Sequence, residues 1–165
     1  PIGTNIGFTD SIPLMAILCK TISFILPENF QYFGIWLFMC MFLNGYFSLK
    51  IFKYFKIDKV LSYILVIFIL LNPVFIWRQI HPSYCAHWLL IGSIYIYLST
   101  NKYSNNFKKK LNYFIILLFL SSLITVYLTV AVFGLFVLFL IIMLIASIIN
   151  SLIEKKVTII FLLPA

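Results

Sequence analysis

LNYFIILLFLSSLITVYLTVAVFGLFVLFLIIMLIASIINSL, residues 111–152, carries no charged side chain. As one helix it would run about 63 Å at 1.5 Å per residue, roughly twice the ~30 Å hydrocarbon layer of a bilayer. It is therefore predicted to fold back as a helical hairpin. Ser121, Ser122, Thr125 and Thr129 cluster near its middle, which places the turn between Ser121 and Thr129. Three more apolar segments read as single crossings: Phe30 to Phe52, Val60 to Trp77 and Tyr84 to Leu98. The chain has 165 residues, of which 64% are apolar and 10% charged. Soluble domains are nearer half apolar and a quarter charged, so water is not the main solvent of this chain. Disorder, disulfide scaffolds and long coiled coils are excluded by the same composition. The expected fold is an all-α polytopic membrane bundle with about five transmembrane helices, one outer interfacial helix and a truncated last span at Val157 to Leu163. All of residues 1–165 form one transmembrane domain on this reading, with an outer loop over 1–29 and the spans over 30–165. The start at Pro1, without Met or a signal-like flank, marks the chain as an expected piece of a longer protein.

Charge supplies an independent test of the topology. Lys50, Lys53, Lys56, Lys59, Lys102, Lys108, Lys109, Lys110, Lys155 and Lys156 are ten of the twelve basic residues, and alternation of the spans puts all ten on one side. That is the positive-inside bias. An odd number of crossings in the 111–152 stretch would split them, so the hairpin and the charge rule support each other. The net charge of +8 thus reports orientation in the cell inner membrane, and nucleic acid is discarded as a partner; the expected neighbours are membrane lipids. Ile12 to Leu26 is the interfacial segment. It carries Lys20 near its middle and ends at Pro27, and Ala16, Lys20, Ser23 and Pro27 share a helical stripe opposite Leu14, Leu18, Ile22 and Ile25.

Ionisable side chains on the outer side are few: Asp10, Glu28, Arg78, His81 and His87. In so apolar a chain such groups are functional candidates. Asp10 lies in GTNIGFTDSIP, residues 3–13, and has two readings that can hold together: a helix N-cap, or a carboxylate that acts as a base or holds a divalent cation. Glu28 reads as a solvated turn residue. The most polar patch is WRQIHPSYCAHW, residues 77–88. Arg78 either snorkels to headgroup phosphates or grips a lipid-linked phosphate in two prongs. Gln79, His81 and His87 are candidate substrate contacts, with His87 expected about one turn inside a helix opened by Pro82 and Ser83. Tyr84, His87 or Trp88, Ile91 and Tyr95 follow helical spacing and read first as packing. Cys85 and His87, two apart on a helix, point to nearly opposite faces and make a poor metal pair. Cys19, Cys40 and Cys85 read as buried small hydrophobes. Asn44 with Gly45, and Asn72 with Pro73, read as kinks with interhelical amide contacts.

On the stretches GTNIGFTDSIPLMAILCKTISFILPENFQYFGIWLFMCMFLNGYF and RQIHPSYCAHWLL the chain resembles a bacterial multi-span family of unknown function. The resemblance rests on Thr9-Asp10-Ser11-Ile12-Pro13-Leu14, Gln31-Tyr32-Phe33-Gly34 with Trp36, His81, and Cys85-Ala86-His87-Trp88. The layout is also similar to the GT-C glycosyltransferases, polytopic enzymes with a long first outer loop, in-plane helices and an acidic residue near the catalytic centre. That likeness implies sugar transfer from a polyprenyl-phosphate donor at the outer face, with Asp10 and Arg78 catalytic, and it places the superfamily's usual first span and carboxylate upstream of Pro1. A transporter or polysaccharide flippase, and a noncatalytic membrane protein, are the alternatives. All the site readings require one sidedness. Cysteine labelling at positions 10 and 78 is expected to report the same face of the membrane, with positions in the 53–59 loop labelled from the other.

Overall fold

The computed structural model describes residues 12–28, 30–77, 80–99 and 107–162, the side chains at 107, 150 and 153–162 excepted. Helix is the only regular secondary structure among them. In order these are α1 (Pro13–Thr21), α2 (Phe33–Tyr54), α3 (Lys59–Leu70), α4 (Pro73–Trp77), a 3-10 turn (Pro82–Cys85), α5 (Trp88–Leu98), α6 (Phe107–Ser122) and α7 (Val126–Leu162). Three helices are long and apolar enough to cross a membrane: Phe33–Tyr54, Lys59–Trp77 (α3 with α4) and Val126–Ile149. Large apolar side chains such as Phe38, Phe68 and Leu144 are exposed along them. A surface of this kind suits a hydrocarbon solvent.

Local chemistry sets the boundaries. The C-terminus of α2 closes in a Schellman motif: Ile57 N–H bonds to Phe52 O at 3.0 Å and Lys56 N–H to Lys53 O at 3.1 Å. Lys56 takes the left-handed position (φ 57°) that glycine usually fills. Asp58 then caps α3, its Oδ2 accepting from Val60 N at 2.8 Å and Leu61 N at 3.2 Å. Together these turn the chain back within a few residues, so that α3 packs against α2. The Lys53 to Lys59 connector is thus a defined turn. Pro73 cannot donate, so α3 stops at Leu70 and α4 restarts with Asn72 Oδ1 accepting from Val74 N at 2.8 Å. The kink expected there is present. At Asn44 and Gly45, by contrast, α2 continues unbroken. The hairpin turn falls at 123–125, with Thr125 N–H and Ile124 N–H both reaching back to Ser121 O at 3.0 Å.

Three expectations need correction. Tyr84 to Leu98 is not one helix: α5 has 11 residues, about 16 Å, and the residues before it form the 3-10 turn and an irregular link. The stretch from Glu154 to Lys156, expected as a loop ahead of a truncated span, continues α7 as helix to Leu162. The interfacial segment is also shorter than its stripe implied. Thr21 Oγ1 donates to Leu18 O at 2.7 Å, and turns follow from Ile22 to Pro27. Ser23 and Pro27 therefore do not share a helix face with Ala16 and Lys20.

α5 is the central element. It packs against α2, α6 and α7, while α3 packs on the other side of α2 and α6 pairs with α7. Trp36 and Cys40 of α2, Leu89 and Ile96 of α5, Phe114 of α6, and Val132 and Phe139 of α7 form the centre of the core, joined by Phe75 of α4 and Ile12 and Met15 around α1. Small residues let these helices approach. A Cβ on Gly92 would lie 3.4 Å from the Phe47 ring and 3.5 Å from Leu117, so an alanine just fits and nothing larger does. Gly92→Ala is expected to leave thermal stability in lipid nanodiscs nearly unchanged, whereas Gly92→Leu should lower it by about 1–3 kcal/mol through overpacking.

Candidate functional site

The helices sort the chain's chemistry to two ends. At one end lie the 55–58 turn, the end of α5 and the start of α6. There Lys110 Nζ donates to Ser99 Oγ at 2.7 Å and sits 5.4 Å from the Tyr95 ring, while Lys50 lies 5.2 Å from the Tyr46 ring. Flat aromatic faces thus hold two of the ammonium groups. At the opposite end the start of α1, the start of α2, the 3-10 turn and the α6–α7 turn meet. Leu14 N–H of α1 donates to Leu123 O of the hairpin turn at 2.7 Å. Trp36 Nε1 donates to Pro82 O at 2.7 Å, and Tyr84 meets Tyr127 with ring centres 5.6 Å apart.

Of the residues singled out from sequence, Asp10, Arg78 and Gln79 lie outside the described residues. His81 and His87 flank the 3-10 turn at this second end. His81 is exposed, precedes Pro82, and meets Tyr84 edge-on with centroids 6.1 Å apart. His87 is half-buried against Phe75 of α4 at 5.9 Å. It sits at the N-cap of α5, not one turn inside the helix as the Pro82–Ser83 start predicted, because the turn that Pro82 opens is a 3-10 turn that ends at Cys85. Glu28 is exposed in a turn. Trp88 and Tyr95 both pack on Phe47, at 6.4 and 6.5 Å, which favours packing for the aromatic stripe.

The polar groups that organise this region were not singled out from sequence as site residues. Trp36, Cys40, Asn44 and Ser48 recur every four residues on one face of α2 and are all buried. Trp36 holds Pro82 O, and one level down Asn44 Nδ2 donates to Cys85 O at 3.3 Å. Trp36 and Asn44 are eight residues apart, about 12 Å along the α2 axis. The residues before α5 are thus held against α2 at two levels, Pro82 O by Trp36 and Cys85 O by Asn44. Backbone of this kind survives in apolar surroundings only where protein satisfies its carbonyls, and α2 does so twice. An i, i+4 row of Trp, Cys, Asn and Ser on an otherwise apolar helix was the available signal. Ser48 Oγ and Asn44 Oδ1 are buried with no hydrogen-bond partner, and the Trp88 indole faces the Cys40 thiol.

Among the described residues no group of three His, Cys, Asp or Glu side chains is placed to hold a metal ion, and Cys19, Cys40 and Cys85 form no disulfide. Cys40 and Cys85, single in sequence, are both fully buried in the same core.

These features define an all-helical membrane protein in which a 3-10 turn is held against its neighbouring helix by that helix's side chains. Residues 1–163 match the family described as a domain of unknown function (DUF6311), and the chain belongs to that family. No curated protein and no solved structure matches it.

Trp36→Phe keeps the ring and deletes the donor to Pro82 O. It is expected to cost about 0.5–1.5 kcal/mol for the lost hydrogen bond, and amide exchange should accelerate over 83–87 while the α6–α7 pair is unaffected.

Proposed function

We propose that this protein is a GT-C-like glycosyltransferase of the inner membrane, crossing it about five times and using a polyprenyl-phosphate-linked sugar at the outer face. The observation that carries the reading is the gathering of α1, the 3-10 turn with His81 and His87, and the α6–α7 turn at the end remote from Lys50 and Lys110. The chain flanking Asp10 enters this region at Ile12, which is fully buried. In the proposed reaction an acceptor hydroxyl attacks the anomeric carbon of the donor sugar, and the bond from that carbon to the phosphate oxygen breaks. Asp10 takes the hydroxyl proton, and the phosphate departs with the bonding pair, its charge met by Arg78. His81, His87 and Gln79 shape the pocket. A divalent cation held by Asp10 would supply charge neutralisation at the same phosphate.

A second reading, a transporter or flippase of lipid-linked sugars, draws on the break at Asn72–Pro73 and on the irregular segment beside Asn44, since broken helices with polar groups within the bundle are the usual build of transport sites.

The test uses the full-length protein in nanodiscs or vesicles with a lipid-linked sugar. Asp10→Asn is expected to lower transfer about 10²- to 10⁴-fold, and Arg78→Ala to lower it with slower release of polyprenyl phosphate. Transfer unchanged in both variants would overturn the assignment. Movement of intact donor across the vesicle without release of polyprenyl phosphate would establish transport instead.

A further inference from the structure

We propose that the seam between the end of α5 and the first turn of α6 binds the phosphate group of an anionic phospholipid, with Lys110 as the direct contact and Lys109 beside it. Phe114, Leu117 and Ser121 follow Lys110 at four, seven and eleven residues and are all buried, so Lys110 heads the inward stripe of α6, whereas Lys108 and Lys109 are exposed. Lysine rarely occupies such a stripe unless it is paired. Here its ammonium reaches across to α5, donating to Ser99 Oγ at 2.7 Å and lying 5.4 Å from the Tyr95 ring. An ammonium has three N–H donors. Ser99 takes one of them, and neither a hydroxyl nor a ring face neutralises the charge.

Charge at this end is one-sided. Lys50, Lys53, Lys56, Lys59, Lys108, Lys109 and Lys110 lie there, and among the described side chains the carboxylate that accompanies them is Asp58, already engaged by Val60 N–H and Leu61 N–H. Partial burial, and then the neighbouring Lys109, lower the Lys110 pKa, as expected of a cation short of counter-charge. A phosphate supplies that charge through charge-assisted hydrogen bonds. The surroundings favour a lipid over free phosphate. Tyr113 and Ile116 follow Lys109 at four and seven residues and are 40% and 52% exposed, so an apolar strip runs from the lysines along α6 for the acyl chains. Basic groups between membrane helices commonly take anionic headgroups in this way. The site does not depend on the glycosyltransferase reading, and it lies at the end remote from His81 and His87.

The experiment uses native mass spectrometry of the full-length protein released from detergent micelles doped with equal amounts of phosphatidylglycerol and phosphatidylcholine. The unaltered protein is expected to retain phosphatidylglycerol in preference to phosphatidylcholine. Lys110→Gln should lower that preference about fivefold, and Lys110→Arg should keep it. Lys53→Gln, which removes the same charge from the exposed end of α2, should leave it unchanged. Should Lys110→Gln not fold, Lys109→Gln gives a smaller loss in the same direction. Equal retention of the two lipids overturns the proposal. So does a loss in Lys53→Gln as large as that in the α6 variants, which would mean a diffuse positive border, or displacement of the bound lipid by inorganic phosphate, which would mean a site for a free anion.

Discussion

Every backbone carbonyl removed from water must find a donor, and in this protein that rule bears hardest on the residues just before α5. The chain there is a 3-10 turn and a short link, in which Cys85 O accepts from His87 N–H at 2.9 Å. The indole of Trp36 and the carboxamide of Asn44 reach across from α2 to add donors at Pro82 O and Cys85 O. These two bonds are what allow a break inside the bundle. The placing of His87 at the cap of α5 and the stacking of Trp88 on Phe47 both follow from them.

The same constraint separates the two ends of the molecule. At the lysine-rich end the connections are tight and self-sufficient: a Schellman turn at Lys56, a carboxylate cap at Asp58, and an ammonium of α6 on the Ser99 hydroxyl. At the other end the elements are held by contacts between segments distant in sequence, α1 to the hairpin turn and α2 to the 3-10 turn. The first arrangement fixes a border. The second builds a surface from several pieces of chain, the usual way in which a site is assembled on a rigid scaffold.

How much of this was legible beforehand depended on whether the signal was local. The hairpin was readable because no single helix of 42 residues fits the bilayer, and its turn fell among the hydroxyl residues that marked it. The Asn72–Pro73 break was readable because proline lacks the N–H that a helix needs. Tyr84 to Leu98 misled because apolarity alone cannot distinguish a helical crossing from a 3-10 turn and link whose carbonyls are met by another helix. The α7 continuation through Glu154 misled in the opposite sense, since charged side chains interrupt an apolar run without interrupting a helix. Asp58 was overlooked as a cap because a lone acid among lysines looks like ordinary solvated charge.

From its own composition and periodicity the chain determined that it is built for apolar surroundings and that its structure is helical. Those properties are sums over local terms: transfer free energy and hydrogen bonding within a helix. What only the tertiary structure decided is which polar atoms meet. Asn44 and Cys85 are forty-one residues apart, and the orphaned atoms beside them exist because two helices and an irregular link converge there. No local term in the sequence contains that meeting, since it depends on the packing of elements that the chain specifies one at a time.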